Sequence, residues 1–361
     1  MIKLSLQIRR AANCAAQRQN IMQQAATEQP RFSLIIPVYN RPDEVDELLE
    51  SLAAQTRHDF EVIVVEDGST TTCEDVVQRH APHLPSVRYL SKENGGPGPA
   101  RNFGAEQARG KYYIVLDSDC VLPPTYIEAI EQELDADACD AWGGPDRAHP
   151  SFTAVQKAIN YSMTSFFTTG GIRGGRRKLD KFYPRSFNMG ISAELWKQLG
   201  GFAKMRFGED IDFSIRIYKS GARCRLMPEA WVWHKRRTDL RKFLKHVHNS
   251  GLARVNLYIK YPESLKLVHL LPAVFTIGVA ALLVLAACGL WIALLPIALY
   301  VLLILIDASW QNHSIKVGLL AVPASFVQLC GYGTGFLRGW WLRIICGRRD
   351  EVQAFQQTFY K

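Results

Sequence analysis

The sequence has no closely spaced cysteine pair and no long apolar stretch among its first 31 residues. Its eight cysteines are scattered, with no Cys-x-x-Cys pair and no histidine spacing suited to zinc. This excludes a zinc ribbon or a disulfide-rich domain and indicates reduced thiols in a cytosolic setting. Residues 1–31 contain no uninterrupted apolar segment as long as a signal peptide requires. We expect an N-terminal tail or a loosely held helix there.

Charged residues are absent from two long segments near the C-terminus. Val268–Ile306 and Val317–Leu337 contain no Asp, Glu, Lys or Arg, and each is at least as long as the roughly 20 residues that cross a hydrocarbon core. We therefore expect a hydrophobic membrane region followed by a short C-terminal tail. The region covers residues 267–346, its hydrophobic segments lie at about 268–288, 290–306 and 317–337, and the tail covers residues 347–361.

The third hydrophobic segment differs from the first two. It contains Pro323, Gly331, Gly333 and Gly335, residue types that interrupt a helical pattern. A third crossing would also export the arginines that follow it, against the positive-inside rule. We expect two or three membrane segments, with the third re-entrant or interfacial and the C-terminus in the cytosol.

Basic residues outnumber acidic ones, giving a net charge of +9. They concentrate in residues 173–181 and 235–245, just ahead of the apolar segments, which favours anionic lipid headgroups over nucleic acid as the partner. Residues 237–266 are expected to form basic amphipathic helices at the interface, with the preceding domain in the cytosol at a bacterial inner membrane. The loop Gly170–Lys181 is either a solvated segment or a flap over an acceptor.

Residues 32–236 are expected to form one domain, and strand and helix patterns alternate in it as far as Gly144. Four apolar runs of strand length are each followed by a helical repeat of apolar residues: Phe32–Val38, Phe60–Val65, Val87–Leu90 and Tyr112–Leu116. Continuous apolar strands separated by helices predict an α/β domain with a mostly parallel, Rossmann-like sheet covered on both faces. Ligands of such sheets bind beyond the carboxyl ends of the strands, so the polar residues found there are the candidates for chemistry.

Two acidic residues follow the fourth strand. Asp117 and Asp119 are separated by Ser118. Hard divalent cations such as Mg²⁺ and Mn²⁺ bind carboxylate oxygens together with the oxygens of a diphosphate. A helix-capping turn would use the same residues, but their place after a parallel strand, together with Asp67 after the second strand, favours a cation site.

A glycine-rich loop, Asn94–Pro99, precedes a predicted helix that carries Arg101. Glycines permit close approach of the backbone to a ligand, and a helix N-terminus with an arginine suits a phosphate. Arg101 stands where the third glycine of Gly-x-Gly-x-x-Gly would be, so the loop is not a dinucleotide fingerprint. A plain turn remains the alternative.

Two further candidates lie later in the chain. Glu209 and Asp210 begin a predicted helix, where acidic residues are also favoured by the helix dipole, so a general base and a capping cluster are both open. His234 follows an aromatic strand and is either a structural histidine or a ligand.

Six motifs together resemble those of glycosyltransferase family two, whose members have the GT-A fold. They follow the family's order and spacing between Phe32 and His234. The motifs are Ser33–Asn40, Val64–Ser69, Gly98–Asn102, Leu116–Asp119, Phe187–Gly190 and Gly208–Asp212.

The resemblance implies a site for a nucleotide-diphosphate sugar. Tyr39 and Asp67 would hold the nucleobase. Arg101 would bind the nucleotide, and Asp117 would contact the ribose side. The full set of implied donor-binding residues is Pro37, Tyr39, Asn40, Asp67, Arg101, Asp117 and Ser118.

The resemblance also implies a catalytic set. Asp119 would ligate Mn²⁺ or Mg²⁺, and His234 would meet the metal or the diphosphate. Asp210 would be the catalytic base, supported by Glu209. The implied acceptor region is Asn188, Met189 and Gly190.

The expected function is inverting transfer of one sugar to a membrane-associated acceptor in glycan or polysaccharide biosynthesis. The acceptor would be a glycolipid, a lipid-linked saccharide or a polyprenyl phosphate. The Gln-x-x-Arg-Trp signature of processive synthases is absent after His234, which favours a single transfer. The alternatives are a processive synthase and an inactive nucleotide-sugar-binding protein. A nucleotidyltransferase is disfavoured because no basic, glycine-rich loop follows the first strand.

Overall fold

The computed structural model describes residues 29–170, 183–205, 207–235 and 238–348. Most of the expected N- and C-terminal tails, and the loop Gly170–Lys181 beyond its first residue, lie outside the described residues. The described chain separates into two compact units. The first unit contains residues 29–147, 183–204 and 213–233, and the second contains the described residues of 148–170, 205–212 and 234–348. Segments 148–170 and 205–212 fall within the expected catalytic domain in sequence, yet they belong to the second unit.

Within the described residues, ten strands form two sheets. The strands are β1 (Phe32–Val38), β2 (Phe60–Asp67), β3 (Val87–Lys92), β4 (Tyr112–Leu116), β5 (Cys120–Val121), β6 (Ala141–Gly143), β7 (Asp146–Arg147), β8 (Asn188–Ser192), β9 (Cys224–Leu226) and β10 (Val232–His234). The larger sheet has seven strands in the order β3-β2-β1-β4-β8-β6-β9, and the smaller has the order β5-β10-β7.

The larger sheet is mostly parallel, as the sequence predicts. Strands β2 and β4 flank β1 and both run parallel to it, while β3 runs parallel to β2. Strand β8 is antiparallel to both of its neighbours. Every residue of β2 is buried, and so is every residue of β1 except Pro37. Apolar runs covered on both faces produce this pattern, which confirms the expected α/β class.

The α-helices, in chain order, are α1 (Pro42–Ala53), α2 (Glu74–His80), α3 (Pro97–Glu106), α4 (Tyr126–Ala136), α5 (Ala154–Thr164), α6 (Phe166–Thr169), α7 (Ala193–Leu199), α8 (Glu209–Lys219), α9 (Leu240–Lys260), α10 (Leu271–Ala287), α11 (Leu295–Asn312) and α12 (Ile315–Trp340). Helix α1 buries Val45, Leu48 and Leu52 at helical spacing in the same core cluster as β1 and β2. The predicted strand–turn–helix pattern is confirmed here.

A buried carboxylate stabilises the edge of the larger sheet opposite the strand ends that carry the motifs. Glu61 lies near the start of β2 and its side chain is fully buried. It accepts hydrogen bonds from Ser33 Oγ at 2.7 Å, from the Arg109 backbone N–H at 2.6 Å and from Arg88 at 2.9 Å. Burial alone would raise the pKa of Glu61, but these donors outweigh it and hold the pKa below its usual range.

We expect Glu61→Gln to destabilise the protein at neutral pH and to matter less in acid. A carboxyl whose pKa is depressed in the folded state contributes stability above its unfolded pKa, and this contribution is lost as the pH falls through the folded pKa. The loss at pH 7 should be about 1–3 kcal/mol, measured by denaturant unfolding of the detergent-solubilised chain. Glu50→Gln, at an exposed position of α1, is the control. An equal difference at pH 7 and near pH 3 would contradict this role.

Helix α9 is a single helix in the second unit. The sequence left open one helix or a pair over this stretch, and the structure gives one helix of 21 residues capped by Asp239, whose side chain accepts from the Lys242 N–H. Its buried positions include Phe243, Val247 and Gly251. Phe243 and Val247 share a core cluster with apolar residues of α5, α11 and α12. The amphipathic helix thus packs against other helices along one side.

Helix α12 is continuous, so the interruption expected from its proline and glycines is wrong. It runs for 26 residues with Pro323 inside it. A Cβ at Gly335 would lie 2.0 Å from the His248 carbonyl oxygen, and one at Gly331 would lie 2.5 Å from a Val247 methyl group. These glycines allow α9 and α12 to approach closely, as small residues do between packed helices. The glycines of this segment therefore indicate close packing of two helices and not the end of a helix.

Three helices of the second unit are long and apolar enough to cross a membrane: Leu267–Ala287, Trp291–Asn312 and Ile315–Ile345. The first two match the two predicted segments that share one uncharged run. The third is longer than the predicted segment because the helix continues past Leu337 to Ile345. The expectation of two to three apolar membrane segments is confirmed at the level of helix length and composition.

Candidate active site

The loops after β1 and β2 are joined by Asn40. This residue adopts a left-handed backbone conformation, with φ of 53°. Its Oδ1 accepts hydrogen bonds from the backbone N–H groups of Thr70 and Thr71 at 2.8 and 2.9 Å, and its own N–H donates to Ser69 Oγ at 2.8 Å. Asparagine tolerates this conformation better than most residues. Asn40 therefore fixes the shape of two neighbouring strand-end loops.

Asp67 organises the glycine-rich loop. Its side chain is almost completely buried. Oδ1 accepts from Lys92 Nζ and from the Gly95 N–H, both at 2.9 Å, and Oδ2 accepts from the Gly96 N–H at 2.7 Å. Gly96 has a φ of 92°, a value that favours glycine, and leads directly into α3. The carboxylate of the last residue of β2 thus holds the loop that was predicted to bind an anion.

Arg101 and Asp117 form an ion pair across the same edge of the sheet. Arg101 lies in α3 and is 3% exposed, and its guanidinium donates to Asp117 Oδ1 at 2.7 Å. The guanidinium carbon also lies 5.1 Å from the centre of the Phe202 ring. Two residues predicted for the donor site are therefore in direct contact. Burial of Arg101 with a carboxylate and an aromatic ring fixes its orientation.

Arg41 is a site residue that the sequence interpretation missed. Its Nη1 donates to Asp119 Oδ2 at 2.8 Å, and the Asp119 side chain is only 10% exposed. Burial opposes the charge on Arg41, but Asp119 raises the pKa of Arg41 overall, so the guanidinium stays charged. The available signal was position alone: Arg41 directly follows Asn40 at the end of β1.

The donor atoms beside Asp119 suit a hard divalent cation. Asp119 offers a carboxylate, and Cys120 follows it as the first residue of β5. Burial, followed by the charge of Asp119, raises the pKa of the Cys120 thiol well above its ordinary value. Strand β10, which ends at His234, lies between β5 and β7 in the smaller sheet. Oxygen and imidazole nitrogen donors fit Mn²⁺ and Mg²⁺ better than a thiol does.

The motif predicted for the acceptor region is part of β8. Asn188 is 1% exposed, accepts from the Tyr126 hydroxyl at 2.6 Å and donates to the Ala230 carbonyl at 2.7 Å. A Cβ at Gly190 would lie 1.9 Å from the Trp142 ring, which explains the glycine. Met189 is completely buried. These side chains position β8 within the sheet and do not present a binding surface.

The acidic motif Glu209–Asp210 begins α8. Both residues are 8% exposed. Asp210 Oδ1 accepts from the Ile211 N–H at 2.8 Å. The preceding Gly208 has a φ of 83°, and a Cβ there would lie 3.2 Å from a Leu257 methyl group of α9. A glycine is required by the backbone conformation, and it also lets this segment lie close to α9.

Asp212 anchors the same segment to the end of α9. Its side chain is fully buried and accepts from Lys260 Nζ at 2.5 Å and from the Tyr261 hydroxyl at 3.0 Å. Burial opposes the charge on Lys260, but the carboxylate raises the pKa of Lys260 overall, so the pair remains ionised at neutral pH. The sequence alone does not reveal these contacts, because the two partners are 48 and 49 residues away from Asp212.

A family model for glycosyl transferase family 2 matches residues 33–198. An uncharacterized glycosyltransferase of Escherichia coli, YibD, is 39% identical over 116 residues, which are 31% of this chain and 34% of YibD. An uncharacterized glycosyltransferase of Bacillus subtilis, EpsJ, is 31% identical over 208 residues, which are 55% of this chain and 59% of EpsJ. The chain thus spans between about a third and three fifths of the length of these relatives.

A solved structure supports the fold. The mannosyltransferase PcManGT from Pyrobaculum calidifontis, determined in complex with GDP-Man and Mn²⁺, is 21% identical and superposes with a TM-score of 0.59. The superposition covers 84% of this chain and 88% of PcManGT, and at this identity it shows the fold alone. The match at residues 33–198, the glycosyltransferase relatives and the mostly parallel sheet agree, and residues 33–198 are therefore a glycosyl transferase family 2 domain with a GT-A-like fold, in a chain that continues into helices long and apolar enough to span a membrane.

Proposed function

We propose that the chain transfers a single sugar, with inversion, from a nucleotide-diphosphate donor to a membrane-associated acceptor. The acceptor class is a glycolipid, a lipid-linked saccharide or a polyprenyl phosphate, and the product enters a glycan or polysaccharide. One observation carries this proposal: a single edge of the larger sheet collects the Asp67-bound glycine loop, the Arg101–Asp117 pair and Asp119.

The first unit supplies the donor site. The glycine loop leads into the N-terminus of α3, and the positive end of the helix dipole suits phosphate oxygens. Arg101 is held by Asp117 with its guanidinium over the Phe202 ring, and a guanidinium fixed in this way would bind the nucleotide. Tyr39 and Asp67 would contact the nucleobase, while Pro37, Asn40 and Ser118 would shape the surrounding loops.

Asp119 and His234 would hold a divalent cation such as Mn²⁺ or Mg²⁺. When bound, the cation supplies positive charge against the departing diphosphate. The Mn²⁺ in the PcManGT complex supports this choice of metal. Arg41, whose Nη1 lies 2.8 Å from Asp119 Oδ2, adds a further positive charge beside this carboxylate.

Asp210 is the proposed base. Its carboxylate would take the proton of an acceptor hydroxyl while that oxygen bonds to the anomeric carbon and the bond from that carbon to the diphosphate oxygen breaks. Glu209 would support Asp210. Asp212, bound to Lys260 and Tyr261, would keep the segment at a fixed place on α9. A lipid-phosphate acceptor is already ionised and would need no base.

The proposed location is the inner membrane of a bacterium with the catalytic domain in the cytosol, where nucleotide-sugars occur. Three apolar helices and the basic residues of α9 support membrane association. The E. coli and B. subtilis relatives support a bacterial setting.

The test is a screen of nucleotide-sugars for nucleotide release, with and without membrane lipid extract. We expect one donor to release nucleotide only when the extract is present, with one sugar added per acceptor. Products of increasing length would favour a processive synthase. Binding of a donor with no release under either condition would favour an inactive nucleotide-sugar-binding protein.

A further inference from the structure

A groove in the second unit lies between α9 and α12. It is lined by Arg241, Lys242, Lys245 and His248 from α9 and by Thr334 from α12, with Leu244 as an apolar wall. We propose that this groove binds the phosphate group of an anionic membrane lipid. The inference rests on the proposed membrane association and not on the transfer reaction.

The charge pattern of α9 is the first argument. Helix α9 contains no aspartate or glutamate, and Arg241 and Lys245 are four residues apart on one face. Like charges at this spacing destabilise a helix. A negative charge near this face comes from the N-cap residue Asp239, whose Oδ2 lies 3.4 Å from Lys242 Nζ. The Lys242 side chain is 69% exposed. An anion that binds beside these basic side chains would reduce the repulsion between them.

The groove also has the amphipathic character of a lipid. Leu244 is 44% exposed beside the cationic side chains. The opposite wall belongs to α12, one of the three helices suited to a membrane by length and composition. Lysine and arginine near a membrane surface attract anionic headgroups. A phosphate would meet the cations while an acyl chain continues along the apolar helix.

Polar side chains of α9 and α12 also meet in the groove. The Nδ1 of His248 lies 3.2 Å from Thr334 Oγ1, and the Thr334 hydroxyl lies 2.8 Å from the Cys330 carbonyl oxygen. Burial, followed by the nearby Arg338 charge, lowers the pKa of His248. Arg338 lies one helical turn beyond Thr334 and adds a further cation on the same side of α12. The groove thus joins several cations to oriented polar groups.

The experiment measures lipid retention by the detergent-solubilised full chain in native mass spectrometry. Phosphatidylglycerol is compared with phosphatidylcholine, for the wild type and for a triple variant, Arg241→Gln, Lys242→Gln and Lys245→Gln. Each basic residue near an anionic surface contributes about fivefold in affinity, so the triple variant should retain phosphatidylglycerol roughly 10²-fold more weakly. Retention of phosphatidylcholine should not change.

A second triple variant controls for net charge. Lys111→Gln, Lys197→Gln and Lys316→Gln remove the same charge from exposed positions outside the groove. Equal loss of phosphatidylglycerol in both triple variants would overturn the proposal, because bulk charge would then account for retention. Displacement of the lipid by inorganic phosphate at comparable concentration would also overturn it, in favour of a free-phosphate site.

Two further measurements keep a negative result interpretable. Thermal unfolding reports whether the groove variant folds, and the single Lys245→Gln variant, expected to lose about fivefold, replaces the triple if it does not. Nucleotide release from the donor into water is measured in parallel. If the wild type hydrolyses the donor but shows no preference for phosphatidylglycerol, the proposed lipid site is wrong. The proposed transferase function would remain intact.

Discussion

The Asp119→Asn variant should lose nearly all sugar transfer. Asparagine keeps the size of the side chain but removes the negative charge that pairs with Arg41 and that would ligate the cation. A ligated cation supplies several kcal/mol of transition-state stabilisation, so the rate should fall by about 10³-fold or more. The measurement is steady-state nucleotide release with the donor identified by the screen, together with calorimetric titration of Mn²⁺ in the presence of nucleotide diphosphate.

The control for this variant is Asp135→Asn. Asp135 is also paired with an arginine, Arg31, but its side chain is 66% exposed at the surface of the first unit. It should leave both activity and Mn²⁺ binding unchanged. Full wild-type activity in EDTA, or normal Mn²⁺ binding by Asp119→Asn, would contradict the assigned role of Asp119.

The Asp210→Asn variant should lower turnover by roughly 10²- to 10⁴-fold with donor affinity almost unchanged. The amide preserves shape and can still accept the Ile211 N–H, but it cannot take a proton from an acceptor hydroxyl. The measurement combines kcat and KM for the acceptor with an equilibrium Kd for the donor. The acidic limb of the kcat/KM pH profile should also disappear.

Asp212→Asn is the informative comparison for this prediction. It weakens the ion pair with Lys260 and should therefore reduce thermal stability along with activity, whereas Asp210→Asn should unfold at the wild-type temperature. Normal turnover by Asp210→Asn would show that the acceptor needs no base and would point to a lipid phosphate.

The parallel part of the fold was predictable because its signals are local. Strands β1, β2 and β4 are continuous apolar runs, and α1 repeats its apolar residues at helical spacing. The polar residues after these strands then had to meet at one edge of the sheet. The Arg101–Asp117 contact follows from this geometry.

The rest could not be predicted because the partners are distant in sequence or the signal has two meanings. Asp212 is recognisable as an anchor only once Lys260 lies beside it. In the sequence, a glycine in α12 is compatible both with the end of a helix and with close packing of two helices. The position of α9 in the structure shows that close packing is the correct interpretation. The reason for glycine at position 190 is likewise visible only in the structure, because its neighbour Trp142 belongs to another strand.

The close packing of α9 on α12 determines where the chain can be shortened. A fragment that ended before Leu271 would keep α9 but lose α12, and would leave the face of α9 around Gly251 open to solvent, where the α12 backbone normally lies. Gly208 and Asp212 rest on the far end of that same helix. Helix α12 therefore supports α9, the helix against which the acidic segment packs.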